Sequence, residues 1–185
     1  PQGGERPSFN PKHRNWRRAA KVPILVLNAT SLNTGHVWQF TASYLGESPS
    51  RIEQDVDANE RLRRVYYWDA PADVQSVSLG TVVAASSCVP FLFEPVVFQK
   101  LYKDRTVRLV DGGVFDNQGI DSLLEQDCNI LLVSDASGQV QAVPSPAGDR
   151  NGVLGRVNNI SMERVRIAQY QEVLARRASG TLRYV

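Results

Sequence analysis

The chain has 185 residues, of which 42% are hydrophobic, and its formal net charge is +2. This length and composition allow a real core and predict one globular domain or most of one. The small net charge, with no stretch that interleaves basic and aromatic residues, argues against nucleic acid as a partner. The longest apolar runs, such as Ile24 to Leu27, are too short to span a bilayer. Cys88 and Cys128 lack metal-ligand spacing and are interpreted as buried thiols, with a disulfide left open.

Residues 1–21 form a basic lead-in without core-facing periodicity. Its cations are Arg6, Lys12, His13, Arg14, Arg17, Arg18 and Lys21. The composition favours a solvated, loosely ordered segment. A patch that meets a membrane surface is the alternative, because Trp16 stands among the cations.

Residues 22–47 are predicted to hold a buried strand and a hairpin. Four apolar residues in a row within residues 22–30 are typical of a strand buried on both faces. Gly35 marks a turn, and residues 36–41 alternate as a half-exposed strand does. Residues 48–72 are charged and irregular, and they are interpreted as an insertion or surface loop.

The next region predicts an uncharged helix followed by a second hairpin. Ser78 is a candidate N-cap for a helix over residues 79–88, which we expect to be buried on all sides because it carries no charge. Pro90 ends it, and residues 96–101 and 106–110 are predicted to pair as a hairpin that leads into Asp111.

The remaining segments complete an alternation of strands and helices. Ile120, Leu123 and Leu124 have helical spacing, and residues 129–133 resemble a second fully buried strand. The last long segment places Ile160, Ile167 and Leu174 seven residues apart, which indicates an amphipathic surface helix. The order of elements predicts an α/β fold with helices on both faces of the sheet.

The stretch around Asp111 is the candidate functional site. Two apolar residues end in this carboxylate, and Gly112 and Gly113 follow at once. Most Asp-Gly pairs are only tight turns. An Asp at a strand end is nevertheless where open α/β folds place their chemistry. Asp116 and Asn117 are interpreted as caps of the following helix rather than reacting groups.

Few other chemistries fit the residue inventory. The histidines are His13 and His36, and neither lies beside a serine or cysteine nucleophile pattern, which disfavours a Ser-His-Asp triad. Zinc spacing and a glycine-rich phosphate loop are both missing from the sequence. What is left is a carboxylate that acts as the sole general base for a serine, within hydrogen-bond reach and partly desolvated.

Three blocks in this order resemble the patatin-like phospholipase family. Residues 23–35, PILVLNATSLNTG, are similar to a central-strand segment that follows the active-site helix of the family. Residues 84–95, AASSCVPFLFEP, resemble its Ala-Ser-Ser-Ala-x-Pro-x-x-Phe-x-Pro pattern, and residues 111–113 match its Asp-Gly-Gly block. Together the blocks cover about residues 22–137, and their order makes the resemblance specific.

The resemblance implies a three-layer fold with a mainly parallel central sheet, incomplete at its N-terminal side. Residues 22–185 would be the C-terminal part of a single acyl hydrolase domain. It implies a Ser-Asp dyad in which Asp111 is the base and an acyl-enzyme forms, while Gly112 and Gly113 shape the turn. The implied substrate is a phospholipid or another acyl ester, with a membrane surface as a candidate partner and with neither metal nor cofactor. The compartment stays open between the cytoplasm and the membrane periphery.

One departure from the family leaves three interpretations. The family serine lies in a Gly-x-Ser-x-Gly elbow with a glycine-rich oxyanion loop upstream, and neither pattern occurs in this sequence. The favoured interpretation is a lipid acyl hydrolase whose serine lies upstream, so that this chain alone is inactive. A pseudoenzyme or interaction module of the same fold is the alternative. A nucleophile at Ser86, Ser87 or Cys88 is the least favoured, because a helix interior does not expose it.

Overall fold

The computed structural model describes residues 14–49, 57–126, 128, 130–136, 139–180 and 183–184. The chain divides into two compact units, Pro1–Asp111 and Gly112–Val185. Residues 1–13 of the predicted lead-in lie outside the described residues. The rest of it, residues 14–21, is exposed apart from half-buried Asn15, and the Lys21 ammonium donates to the carbonyl oxygens of Asn15, Trp16 and Arg18.

The first unit contains a six-stranded sheet. Its strands are β1 Leu27–Ser31, β2 Val37–Phe40, β3 Tyr44–Glu47, β4 Val65–Tyr66, β5 Val96–Tyr102 and β6 Arg105–Asp111. They lie in the order β4-β3-β2-β1-β6-β5, and every neighbouring pair is antiparallel. The two hairpins expected from the sequence, β1–β2 and β5–β6, are both present.

The predicted three-layer α/β fold with a mainly parallel sheet is wrong. Parallel neighbours need a crossover of a dozen or more residues, usually a helix, whereas tight turns join antiparallel strands. Gly35, with a φ of 77°, lies in the short connection between β1 and β2. Only Lys103 and Asp104 separate β5 from β6. Even β1 and β6 are antiparallel, although about 70 residues of chain lie between them.

The burial of these strands also differs from expectation. The predicted strand over residues 22–30 begins only at Leu27, and Ile24 and Leu25 are exposed. The strand β2 was expected to be half exposed, but all four of its residues are buried. Trp38 and Phe40 lie in the core of the unit. The side chains of Tyr44 and Arg64 bind the Gln39 amide oxygen. Strand β3 was not predicted.

Helix α1, Leu79–Ser86, packs on the sheet against β1, β5 and β6. Its predicted N-cap is confirmed, since the Ser78 hydroxyl accepts the Thr81 N–H over 3.1 Å. The expected burial on all sides is wrong. Val82 and Ala85 are buried, whereas Leu79 and Val83 face outward.

Within its described residues, the second unit holds three helices and a short parallel strand pair. Its elements are α2 Gly113–Asp116, α3 Ile120–Glu125, β7 Ile130–Leu131, α4 Arg150–Ala178 and β8 Arg183–Tyr184. The core consists of Ile120, Leu124, Leu131 and Val173. The strand expected to be fully buried is not, because Ile130 and Leu132 are exposed on either side of Leu131. The long amphipathic helix is confirmed as α4.

Candidate active site

Asp111 ends β6 and is held by its backbone on two sides. It pairs with Ala29 of β1, and its carbonyl oxygen accepts the Thr30 hydroxyl over 2.9 Å. Its N–H donates to the carbonyl oxygen of Cys88 over 2.8 Å. The residue is half-buried. A backbone fixed in this way leaves the carboxylate at a strand end with a defined direction.

The first block of the sequence bonds to β6 at a second point. Asn33 follows β1, and its side-chain amide donates to the Thr106 carbonyl over 2.9 Å. Its side-chain oxygen accepts the Arg108 N–H over 3.0 Å. The Asn33 side chain therefore extends the hydrogen bonding between β1 and β6 beyond Ser31, where β1 ends. Both Thr30 and Asn33 belong to the block that resembles the family segment.

The second block meets Asp111 at the end of α1. Cys88, whose carbonyl binds the Asp111 N–H, also donates its thiol to the Glu94 carbonyl over 3.0 Å. That contact closes the loop between them. Within the loop, Phe91, Leu92 and Phe93 are 66%, 72% and 62% exposed, and Phe91 has a φ of 72°. A left-handed conformation is rare for a bulky residue, so this apolar loop has a specific and costly shape.

An apolar cavity lies on the sheet face that Asp111 occupies. Residues that pair across a sheet point to the same face, and so do residues two apart along a strand. Asp111 therefore shares a face with Ala29 and Leu27. Leu27 lines a cavity of about 340 Å³ together with Leu25, Phe40, Tyr67, Leu79 and Val82. Burial raises the pKa of the Tyr67 hydroxyl, in keeping with apolar surroundings.

The residues after Asp111 lie in the second unit and have a structural role there. Gly112 has an ordinary helical φ of −61° and precedes α2, and both Gly112 and Gly113 are buried. The capping role expected for Asp116 is confirmed. Its carboxylate accepts the N–H groups of Ile120 and Asp121, each over 3.0 Å, and the Gln169 amide over 2.6 Å. Burial nevertheless raises the pKa of Asp116.

Two of the candidate nucleophiles near α1, Ser87 and Cys88, are engaged in structural bonds. The Ser87 hydroxyl donates to the Val83 carbonyl of its own helix over 2.9 Å. The Cys88 thiol is buried and donates to Glu94, as described above. Ser86 is half-buried within α1. Cys88 and Cys128 are both free thiols, and Cys128 is half-buried rather than buried.

A buried group of charged side chains in the first unit was not predicted. His36 Nε2 lies 2.8 Å from an oxygen of Asp57, and His36 Nδ1 lies 3.6 Å from an oxygen of Glu47. Arg61 binds Asp57 over 2.5 Å, and Thr34 donates to Glu47. The His36 and Glu47 side chains are almost inaccessible, so the group stabilises the fold rather than meeting a substrate. Its members come from three stretches, residues 34–36, 47 and 57–61, and no local pattern indicates that these stretches meet.

No family model, curated protein or solved structure matches this chain.

Two further findings concern the part of the chain that the structure describes. Among those residues, no helix has the length and apolarity needed to cross a bilayer. In the same residues, His, Cys, Asp and Glu side chains form no group of three or more that could hold a metal ion.

Proposed function

We propose that this chain supplies the general base of a lipid acyl hydrolase, a phospholipase A or lysophospholipase-like esterase that works with a Ser-Asp dyad. Asp111 is the base. The serine and its oxyanion loop belong to another part of the natural polypeptide that contains this sequence. One observation carries the proposal: of the three blocks that resemble patatin-like phospholipases, the first and the second, up to about 80 residues away in the chain, each hydrogen-bond Asp111 of the third.

The residues that make these contacts lie within the first two blocks. Thr30 and Asn33 of the first block bind the backbone of β6, and Cys88 of the second block binds the N–H of Asp111. The bonds from Thr30 and Cys88 hold the strand end that bears the carboxylate, and the Asn33 bonds hold β6 nearer its start. Support comes from these contacts and not from the sheet, whose antiparallel order differs from the sheet that the family implies.

The apolar cavity favours an acyl group as the substrate. Leu27 lies two residues from the Ala29–Asp111 pair, about 7 Å along the strand, and its side chain is on the same face. A cavity of about 340 Å³ with mostly hydrocarbon walls stabilises an acyl chain by the hydrophobic effect. The exposed loop residues Phe91, Leu92 and Phe93 add apolar surface beside Cys88.

The chemistry needs one proton acceptor and one nucleophile. Asp111 would take the proton of the serine hydroxyl as its oxygen attacks the ester carbonyl. The proton would then pass to the leaving alkoxide as the acyl-enzyme forms. In the second half, the same carboxylate would deprotonate water, which releases the fatty acid and restores the serine. This sequence of steps uses neither a metal nor a diffusible cofactor.

The test is an Asp111→Asn substitution in the natural polypeptide that contains this sequence. Asparagine keeps the shape of the side chain but cannot accept the proton, so turnover of p-nitrophenyl esters and of phosphatidylcholine should fall by about 10³-fold or more. Asp104→Asn, in the exposed turn of the same hairpin, is the matched control and should retain full activity. Near-normal turnover by Asp111→Asn would contradict the dyad. A wild-type polypeptide that is folded but inactive on both substrates would favour the non-catalytic alternative.

A further inference from the structure

Helix α4 exposes an apolar stripe along most of its length. Val153, Val157, Ile160, Ile167 and Leu174 are between 39% and 53% exposed. Their spacing, completed by Arg164 and Gln171, alternates between four and three residues. We call these seven residues the seam. A 3-4 repeat sustained over 22 residues, or about 33 Å of helix, is the pattern of a coiled-coil interface.

The opposite side of α4 already has a partner. Its buried residues are Gln169 and Val173, and Val173 packs with Ile120, Leu124 and Leu131 in the core of the second unit. Gln169 binds Asp116. In heptad terms, these two residues occupy positions that face away from the seam. The seam is therefore surplus to the packing of this unit, and single apolar residues scattered on a surface would not show such a repeat.

We propose that the seam is the interface of a homodimer, in which α4 packs antiparallel against α4 of a second copy of this chain. The proposal is independent of the hydrolase function. A strict seven-residue repeat keeps two helices in contact through a left-handed supercoil. A two-fold axis between residues 165 and 166 would make the contact self-complementary, as in most homodimers.

The polar seam residues favour the antiparallel arrangement. Two parallel helices in register would place Arg164 against Arg164 and bury two like charges together. In the antiparallel register, Val157 of one copy faces Leu174 of the other, and Arg164 faces Ile167. The long Arg164 stem can then cover the isoleucine while its guanidinium reaches water. Gln171 likewise faces Ile160 at the next layer.

The flanking positions permit close approach. Ser161, Ala168 and Ala175 run along one edge of the seam, and small residues let two helices come near each other. Leu154 and Tyr170 extend the apolar surface at the edges, at 41% and 49% exposure. Two such helices would bury on the order of 1,000 Å² in total, which reaches the range of specific protein interfaces.

The first experiment is sedimentation velocity on the whole 185-residue chain across a concentration series. We expect a reversible monomer–dimer equilibrium. Val157→Asp combined with Leu174→Asp should weaken dimerisation at least about 100-fold, because these two positions face each other in the antiparallel register and each dimer would bury like-charged carboxylates face to face. Asn159→Asp adds a carboxylate at an exposed position of the same helix outside the seam, and it should leave the dimer intact. Far-UV circular dichroism checks that α4 stays helical in each variant. A wild-type monomer at every concentration, or an unchanged dimer in the double variant, would overturn the proposal.

The second experiment tests the orientation. Chains that carry Ile160→Cys are mixed with chains that carry Gln171→Cys, oxidised, and digested for mass spectrometry. The antiparallel register predicts disulfides between the two variants, since positions 160 and 171 face each other. Disulfides only between identical variants would show a parallel pair and would contradict the proposed geometry.

Discussion

The N–H of Asp111 donates to the carbonyl oxygen of Cys88 over 2.8 Å. This bond joins the end of β6 to the segment that follows α1, the helix that packs on the sheet. Twenty-two residues of chain, including an exposed apolar loop and a full hairpin, lie between its two ends. Because the bond involves only backbone atoms, it holds the Asp111 carboxylate in place without using the side chain that the proposed chemistry needs.

Thr30 is predicted to position Asp111. Its buried hydroxyl donates to the Asp111 carbonyl, so Thr30→Val should lower the free energy of unfolding by about 1–2 kcal/mol while preserving shape. Turnover should fall as well, with kcat affected more than KM, because a looser strand end misplaces the base. Thr30→Ser keeps the hydroxyl and should retain most of the free energy of unfolding and most of the turnover. Equal loss in the serine and valine variants would rule out the hydrogen bond as the cause. Urea unfolding and ester hydrolysis measure the two effects.

Asp57 is predicted to make the first unit acid-sensitive. The pKa of the Asp57 carboxyl lies below its usual value of 3.8. Burial by itself raises this pKa, but three groups stabilise the charged carboxylate and outweigh burial: the Asn59 N–H, the His36 ring and the Arg61 guanidinium. A carboxyl whose pKa is lowered by folding stabilises the folded protein fully when the pH is above the pKa of the unfolded state. This stabilisation is lost as the pH falls through the pKa of the folded state.

The measurement is the difference in free energy of unfolding between wild type and Asp57→Asn as a function of pH. This difference should shrink as the pH falls below about 3.8. Asp69→Asn, at an exposed position of the same unit, is the control and should change the free energy of unfolding little. A difference that grows as the pH falls would contradict the assigned role of Asp57.

Asp116 is predicted to have the opposite pH dependence in the second unit. Burial raises its pKa, so its stabilising contribution is complete below the unfolded value of 3.8 and is lost as the pH rises through the folded value. Wild type should therefore lose stability relative to Asp116→Asn as the pH rises. Asp116→Ala removes the acceptor for two backbone N–H groups and should cost about 2–3 kcal/mol.

Native-state hydrogen exchange of the amides in α3 measures this effect locally. Asp149→Ala removes the exposed N-cap of α4 and serves as a comparison, with an expected cost of about 1 kcal/mol. A wild-type advantage over Asp116→Asn that increases with pH would show that the buried carboxylate is stabilised by ionisation, contrary to the prediction.

Local patterns in the sequence predicted local structure well. The Ser78 cap, the hairpin of β5 and β6 and the long helix α4 all follow from residues near one another in the chain. The sheet could not be predicted in the same way. An apolar run such as residues 24–27 does not show which strand lies beside it, and Ile24 and Leu25 of this run are exposed. The parallel sheet came from the family resemblance, and the structure contradicts it.

The candidate site, too, could be predicted from local sequence only in part. The position of Asp111 at a strand end was predictable from two apolar residues followed by two glycines. The contacts from Thr30, Asn33 and Cys88 depend on strand register, which local sequence does not encode. The buried group of His36, Glu47 and Asp57 was missed for the same reason, because its members come from three separate segments.

The central claim is that Asp111 activates a serine outside this chain. The most direct measurement is covalent labelling by a fluorophosphonate probe, applied side by side to this 185-residue chain and to the natural polypeptide that contains it. We predict labelling of the longer polypeptide at one serine, strongly slowed by Asp111→Asn, and no labelling of the chain alone. Labelling of this chain at Ser86 or Ser87, or labelling of the longer polypeptide that does not depend on Asp111, would contradict the claim.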